Sequence, residues 1–271
     1  MKIEPLDRKG NTIKFRLSDS SPAFANAIRR LLFEIPTMAI DEIIVIENST
    51  LLYDEILAHR LGLIPLTTPD GIYNLQEECV CSGHGCSQCE TSLTLEKEGV
   101  ELSAIETLYS RDLQPEDPDV KPVLDNVPIL RFTQGQKVIV QAIARLGKAI
   151  KHSKFQSAIS SYKYEPIIKI DEKKSEFCES LVEVCPPKIL KFENNSLKVT
   201  ESRICTLCMQ CVELSPEPGA VEVTTTGKDF LFTLTSFGQI PPEKLLLKAL
   251  ELLKDKSQEM ATKIQELSIE S

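Results

Sequence analysis

The sequence predicts an α+β fold in which the two ends of the chain build one discontinuous domain and the middle forms two inserted domains. Three observations support this. Alternating apolar residues and an amphipathic helix open the chain, a long heptad helix closes it, and β-like runs with two cysteine groups lie between them. The predicted boundaries are residues 1–42 with 220–271 for the discontinuous domain, 43–168 for a mainly-β domain, and 169–219 for a small cysteine-rich domain.

Composition excludes several classes of protein. The chain has 271 residues, of which 42% are apolar, so it can bury sizeable cores. No apolar run approaches the roughly 18 residues of a membrane helix. The opening MKIEPLDRKG lacks the regions of a signal peptide, so we expect a cytoplasmic protein. A net charge of −9 argues against a chain whose main task is to grip a nucleic-acid backbone.

Residues 1–17 have the pattern of a β-hairpin with a turn over Asp7–Asn11. An isolated hairpin is marginally stable in water, so its apolar side needs a partner. The segment Ala220–Phe237 offers one, since it also alternates, with a turn predicted around Gly227. The alternating apolar residues of the two segments are Ile13, Phe15, Leu17, Val221, Val223, Phe230, Phe232 and Leu234.

The stretch Ser20–Pro36 predicts an amphipathic helix. Ser21 is a suitable N-cap, Pro22 suits the first helical position, and Pro36 stops the run. One apolar stripe runs along it at intervals of three and four: Phe24, Ala27, Ile28, Leu31, Leu32 and Ile35. The stripe fits either an ordinary core helix or a surface for another protein.

The middle of the chain contains short β-like runs at Ile43–Ile46, Ser92–Leu95 and Lys137–Ala142. The proline-rich segment Gln114–Pro128 is expected to be irregular. Residues 148–154, KAIKHSK, form a small basic patch that we interpret first as a solvated strip and second as a contact with nucleic acid or a partner.

The first cysteine group has the spacing C-x-C-x4-C-x2-C, formed by Cys79, Cys81, Cys86 and Cys89. Gly83 and Gly85 supply the freedom that a tight metal knuckle needs. Cysteines in the cytoplasm are usually reduced, so the pattern favours a zinc site over free thiols or a disulfide. Four protein ligands would close the site, which indicates a structural role, and His84 is expected to be a bystander.

The second group, Cys205, Cys208 and Cys211, has the C-x2-C-x2-C spacing that is typical of iron–sulfur ligation and uncommon for zinc. In two-cluster ferredoxins a distant cysteine followed by proline completes each cluster, and Cys185 precedes Pro186 here. These four cysteines suit one [4Fe-4S] cluster, which could be isolated as [3Fe-4S]. The corresponding second set keeps one thiol, Cys178, beside Ser175, Leu181 and Ser215. The region is therefore similar to a ferredoxin domain that holds one cluster and has lost the other.

The C-terminal segment predicts a helix that begins at Pro241–Pro242 and runs for about 35 to 40 Å. Its heptad seam consists of Leu246, Leu250, Leu253, Ser257, Met260, Ile264 and Leu267. A small domain cannot cover such a helix from end to end. We therefore expect the apolar residues of this seam and of the first helix to form a dimer interface.

The segment Tyr53–Leu66 reads as a short helix capped by Asp54 and closed by Gly62. Together, NAIRRLLFEIPTMAIDEI and DEILAHRLGLIPL resemble the dimerisation region of the RNA polymerase α-subunit family, and with the cysteine-rich insert the chain is most similar to its archaeal D-subunit branch. The resemblance covers nearly the whole chain. It implies an α-subunit-like dimerisation domain, a partner called subunit L, and assembly with the large catalytic subunits. It also implies a zinc in the first insert, as in eukaryotic members.

Two functions compete. The first is a non-catalytic assembly subunit of RNA polymerase, with the cluster stabilising the fold or regulating assembly. The second is a ferredoxin-like electron carrier or redox-sensing component. The missing second cluster and the lack of a nucleotide or flavin fingerprint favour the first. His59, His84 and His152 belong to no recognisable catalytic arrangement, so we expect no active site on this chain.

Overall fold

The computed structural model describes residues 1–99 and 105–269 as a mixed fold in which most of the elements are strands. In chain order they are β1 (Lys2–Lys9), β2 (Thr12–Ser18), α1 (Pro22–Leu31), β3 (Thr37–Asn48), α2 (Asp54–Gly62), β4 (Glu90–Glu98), β5 (Glu106–Tyr109), β6 (Gln114–Pro115), β7 (Pro128–Phe132), β8 (Lys137–Gly147), β9 (Ala158–Ile170), α3 (Leu181–Val184), β10 (Leu190–Glu193), β11 (Ser196–Val199), α4 (Gln210–Glu213), β12 (Val221–Ser236) and α5 (Pro242–Ile269).

The chain divides into two compact units. The first unit comprises Met1–Asp7, Lys14–Asn26 and Ser161–Thr233, and the second comprises Arg8–Ile13, Ala27–Ser160 and Leu234–Ser271. The three-domain division at residues 42, 168 and 219 stays a prediction.

A four-stranded sheet with the order β1-β2-β12-β9 supplies most of the strands of the first unit. The opening hairpin thus lies beside the segment Ala220–Phe237, which confirms the predicted pairing. Phe15 on β2 stacks on Phe232 of β12 with ring centroids 4.9 Å apart and planes 5° from parallel. Both rings are buried, so they anchor the pairing of the two strands.

The turn predicted around Gly227 is wrong, because β12 continues through it as one strand of 16 residues. Gly227 has a φ of +71°, a left-handed conformation that glycine adopts without strain. The buried positions change from odd numbers at Val221 and Val223 to even numbers at Phe230 and Phe232. The face of β12 that is buried thus changes between Val223 and Phe230 without a reversal of the chain.

Helix α1 begins as predicted. The Oγ of Ser21 accepts a hydrogen bond from the N–H of Phe24 at 3.2 Å, and Pro22 is the first helical residue. The helix ends at Leu31, before the predicted stop at Pro36. Tighter turns follow, in which the N–H of Glu34 donates to the carbonyl of Leu31 at 2.9 Å.

The second unit contains a sheet with the order β3-β8-β4-β6 and a two-stranded sheet of β5 and β7. The three β-like runs predicted in this region lie in β3, β4 and β8, which confirms them. The segment Gln114–Pro128 is not wholly irregular, because Gln114 and Pro115 pair with β4 and Pro128 begins β7. The apolar core that contains residues of both sheets also includes α2, through the fully buried Leu57 and Leu61.

Two details predicted for α2 are wrong. Tyr53 occupies the N-cap position, while Asp54 is the first helical residue and accepts a hydrogen bond from Nδ2 of Asn48 at 2.6 Å. Gly62 still belongs to the helix, which ends at the C-cap Leu63. A Cβ on Gly62 would lie 3.5 Å from the carbonyl oxygen of Ile40, so this glycine packs against the backbone of β3.

A separate apolar cluster in the second unit joins the residues after α1 to the start of α5. Leu32 and Ile35 pack in it with Leu245 and Ala249, and all four are at most 3% exposed. Lys256 of α5 also forms an ion pair with Glu34 at 2.5 Å. The N-terminal half of α5 is thus held by the chain itself.

Candidate metal centres and partner-binding helices

The first cysteine group forms a compact sulfur cluster. The Sγ atoms of Cys79, Cys81, Cys86 and Cys89 all lie within 4.8 Å of one another. Three separations are 3.5 Å for Cys79 to Cys86, 3.6 Å for Cys81 to Cys89 and 3.8 Å for Cys86 to Cys89. Four thiolates at about 2.3 Å from a tetrahedral zinc would be about 3.8 Å apart. The sulfur positions therefore fit a single tetrahedral metal ion.

The knuckle backbone explains how the sulfurs converge. Ser82 has a φ of +51°, and Gly83 and Gly85 each have a φ of +87°. The N–H of Cys86 donates to Sγ of Cys89 at 3.3 Å, and Nε2 of Gln76 donates to the carbonyl of Gly83 at 2.8 Å. These reversals and hydrogen bonds bring the four sulfurs together.

Two of the crowded thiols have very different pKa values. Burial opposes ionisation of Cys81, yet hydrogen bonds from the Cys79 thiol and from backbone N–H groups lower the pKa of Cys81 to about 6. Burial raises the pKa of Cys89 to about 12. One thiolate forms readily, whereas four at this spacing need a cation to balance their charge.

A network of ion pairs attaches the knuckle to the sheet. Nε of Arg145 on β8 donates to the carboxylate of Glu90, the residue after Cys89, at 2.8 Å. Another nitrogen of the same guanidinium donates to Glu42 on β3 at 3.1 Å. Burial lowers the pKa of Arg145, but the two glutamates outweigh it and raise that pKa above its ordinary value. Sequence analysis missed this pair, because 55 residues separate its members.

The second cysteine group surrounds one mainly apolar cavity. Cys185, Cys205, Cys208 and Cys211 all line it, together with apolar residues such as Ile189 and Val223. Cys185 and Cys205 are buried, Cys211 is half-buried and Cys208 is exposed. Burial and the charges of the other three cysteines raise the pKa of Cys211. Within residues 1–99 and 105–269, only the Cys79 group brings three or more ligand atoms within 4.8 Å of one another, so the sulfurs of the second group are more widely spaced.

The backbone between these cysteines has two left-handed residues, Leu207 with a φ of +58° and Met209 with a φ of +62°. Such conformations are strained for side chains of this kind and are concentrated at functional sites. Here the N–H of Leu207 points at Sγ of Cys205, 3.4 Å away. Inward-facing N–H groups are common around iron–sulfur clusters and other anionic groups. The residues present thus fit such a cluster.

Cys178 lies outside this cavity. It is fully buried, with its Sγ 3.8 Å from Oγ of Ser215 and 3.5 Å from the carbonyl of Lys174. Ser175 and Leu181 are buried too. Cys178 and Ser215, both members of the predicted second set, therefore lie side by side, and the loss of a second cluster stays a prediction.

The residues predicted to form the dimer interface have very different exposures. Four belong to the chain's own core, with exposed fractions of 1% for Ile28, 6% for Leu31, 3% for Leu32 and 0% for Ile35. Phe24, Ala27, Leu246, Leu250 and Leu253 are half-buried. Met260, Ile264 and Leu267 are 65%, 52% and 69% exposed. The distal half of α5 thus presents three large apolar side chains on one face, and partner contact by all twelve residues stays a prediction.

The basic patch at 148–154 is largely neutralised. Lys151 pairs with Glu77, and Lys154 pairs with Asp41 at 2.6 Å. His59 and His152 line a shallow cavity with Asp41 but form no ligand cluster within the described residues. The solvated-strip interpretation therefore fits better than a nucleic-acid contact. No helix in the described part of the chain is long and apolar enough to cross a membrane.

Comparison with known proteins indicates the class of protein to which this chain is similar. A family model described as the RNA polymerase Rpb3/RpoA insert domain matches residues 40–173, which include the sheet of β3, β4, β6 and β8 and the knuckle. This match places the middle of the chain in the class of RNA polymerase subunits of the α type.

Full-length relatives narrow the class. The chain is 38% identical to DNA-directed RNA polymerase subunit Rpo3 of Archaeoglobus fulgidus, over 98% of each chain. It is 38% identical to the Methanosarcina acetivorans subunit over 98% of this chain and 99% of the relative. For the Pyrococcus furiosus subunit the identity is 33%, over 99% and 98%. The chain belongs to the family of DNA-directed RNA polymerase subunit Rpo3, which confirms the family predicted from the sequence.

Proposed function

We propose that this chain is a non-catalytic assembly subunit of an archaeal RNA polymerase, which pairs with subunit L and then receives the large catalytic subunits. The observation that carries the proposal is similarity to Rpo3 subunits over nearly the entire chain. Phosphoryl transfer would then take place on other chains, in agreement with the lack of a catalytic pattern among the three histidines.

The contact with subunit L is assigned to the exposed face of α5. Its N-terminal half is packed against the residues after α1, so the distal half projects as a supported helix. Met260, Ile264 and Leu267 follow one another at spacings of four and three, which places them on one face. Exposed apolar faces of this kind mark protein interfaces.

Matched charge substitutions on α5 test the assignment. Ile264→Asp places a carboxylate within the apolar face, whereas Thr262→Asp adds the same charge about 160° around the helix from it. Both positions are exposed, so neither should unfold the chain. With co-expressed subunit L, we expect I264D to lose the heterodimer in size-exclusion chromatography and T262D to keep it. Equal behaviour of the two variants would overturn the assignment.

For the first cysteine group we propose a structural zinc ion. The four sulfurs fill all tetrahedral positions, so no position stays open for a reacting water. Metal analysis of the purified protein should find one zinc per chain that Cys86→Ser abolishes and Cys178→Ser keeps. Unchanged zinc in C86S would refute the site.

For the second group we propose a ferredoxin-like domain with one [4Fe-4S] cluster held by Cys185, Cys205, Cys208 and Cys211. The shared cavity and the strained loop support it. Its role would be to stabilise the fold of residues 169–219, since metal binding and folding are coupled, or to control assembly. A colourless, iron-free protein after anaerobic purification would refute the cluster. Unchanged heterodimer yield and polymerase assembly in Cys208→Ser would remove the control of assembly.

A further inference from the structure

Lys163 on β9 contacts the loop of the second cysteine group from within the same unit. Its Nζ donates a hydrogen bond of 2.8 Å to the carbonyl oxygen of Cys205. Both residues are at least partly buried, and Cys205 is only 7% exposed. Nothing in the spacing of the cysteines indicates this lysine, because it precedes Cys205 by 42 residues.

The Lys163 ammonium lies beside the backbone of Cys205 and forms no ion pair with a described carboxylate. Its hydrogen-bond acceptor is a neutral carbonyl, and in the described part of the chain no carboxylate lies within ion-pair distance of Nζ. The nearby Glu165 is paired instead with Arg16 at 2.6 Å and with Arg203 at 3.5 Å. Burial lowers the pKa of Lys163, the charge of Cys205 partly opposes this shift, and the charge of Lys14 adds to it. The positive charge is therefore available to compensate negative charge on the cysteine ligands.

We propose that Lys163 is a positioning residue of the second cysteine site, where it holds the backbone of Cys205 and stabilises negative charge that the site gains on reduction. This inference rests on the iron–sulfur cluster of the proposed function. In the redox step, one electron from dithionite enters the site through mediators, dithionite is oxidised, and no bond to Lys163 forms or breaks. Because a fixed positive charge favours the more negative state, removing it should make reduction harder.

The test uses the full chain, purified without oxygen. Lys163→Gln removes the charge but keeps an amide donor for the Cys205 carbonyl, and Lys163→Arg keeps the charge. Lys169→Gln is the matched control, since it removes the same charge from an exposed position on β9. Iron and sulfide content report whether the site is filled, and a mediated redox titration gives the midpoint potential.

We expect K163Q to contain as much iron as the parent protein and to have a more negative midpoint potential, while K163R and K169Q stay close to the parent. An unchanged potential in iron-loaded K163Q would overturn the inference, as would loss of iron from K163Q, which would make Lys163 a purely structural residue. Absence of iron from the parent protein would instead refute the cluster itself.

Discussion

Alanine at the two knuckle glycines tests how the first cysteine group is held. Gly83 and Gly85 share a φ of +87°, so alanine is strained at both, by about 1–2 kcal/mol. Their surroundings differ. A Cβ on Gly83 meets nothing within 4 Å, whereas one on Gly85 would clash with Oε1 of Glu90. Gly85→Ala must therefore push the Glu90 carboxylate away from Arg145, which costs up to about 1.5–3 kcal/mol for a charged hydrogen bond.

These costs should weaken zinc binding, because the backbone strain appears when the metal orders the knuckle. At about 1.4 kcal/mol per factor of ten, Gly83→Ala should weaken zinc binding about 5- to 30-fold. Gly85→Ala should weaken it roughly a hundredfold or more. Competition with a chromophoric zinc chelator measures both affinities.

As a control, the same two glycine substitutions are made in a protein that also carries Glu90→Ala. Without the glutamate side chain, the two glycine substitutions should have the same cost, since only the shared backbone strain remains. Equal affinities of G83A and G85A in the parent background would refute the argument that Glu90 and Arg145 hold the knuckle.

Three further predictions concern the fold and its buried groups. Ile35→Ala should lower the unfolding free energy by about 2–5 kcal/mol in a denaturant titration, because Ile35 is 0% exposed. Leu247→Ala is the control, since Leu247 is 60% exposed and its loss should cost at most about 0.5 kcal/mol. Similar costs for the two variants would contradict the packing of α5. Burial, and then the hydrogen bond to Asp117, raise the pKa of Tyr73 to about 12. The stability that this interaction contributes is complete below about pH 10 and is lost as the pH rises through 12. Tyr73→Phe should remove the tyrosinate step near pH 12 from the near-ultraviolet absorbance titration, which no tryptophan obscures; an unchanged step at that pH would be contrary evidence. Cys178→Ser should leave iron content unchanged, because Cys178 contacts Ser215 outside the four-cysteine cavity; loss of iron would make it a ligand.

Local chemistry explains what the sequence could predict. The capped start of α1 at Ser21 and Pro22, the alternation in β2 and the β-branched run in β8 all express preferences of neighbouring residues. The first cysteine group converges for the same reason, since its ligands lie within eleven residues that contain two glycines. Such features need no knowledge of distant contacts.

The errors arise where tertiary packing decides. Local preference favours a turn at Gly227, yet neighbouring strands keep it inside β12. Local preference likewise favours a helix end at Gly62, but this residue stays helical and packs near Ile40. In α5 the heptad pattern identified the helix, whereas the fully buried residues are Leu245 and Ala249, one position before the predicted seam residues. Periodicity alone does not show which face the chain's own core takes.

The charged contacts of the sites could not be predicted. Arg145 reaches Glu90 through the register of β8 with β4, in which Glu90 lies opposite Arg145. Lys163 reaches Cys205 only once β9 is placed in its sheet. Long-range ion pairs and hydrogen bonds of this kind leave no spacing pattern in a single sequence.

Co-expression of the full chain with subunit L, followed by size-exclusion chromatography with light scattering, tests the central claim most directly. We expect one stable species that contains one copy of each chain. Elution of the two proteins as separate species, each with the mass of a single chain, would contradict it.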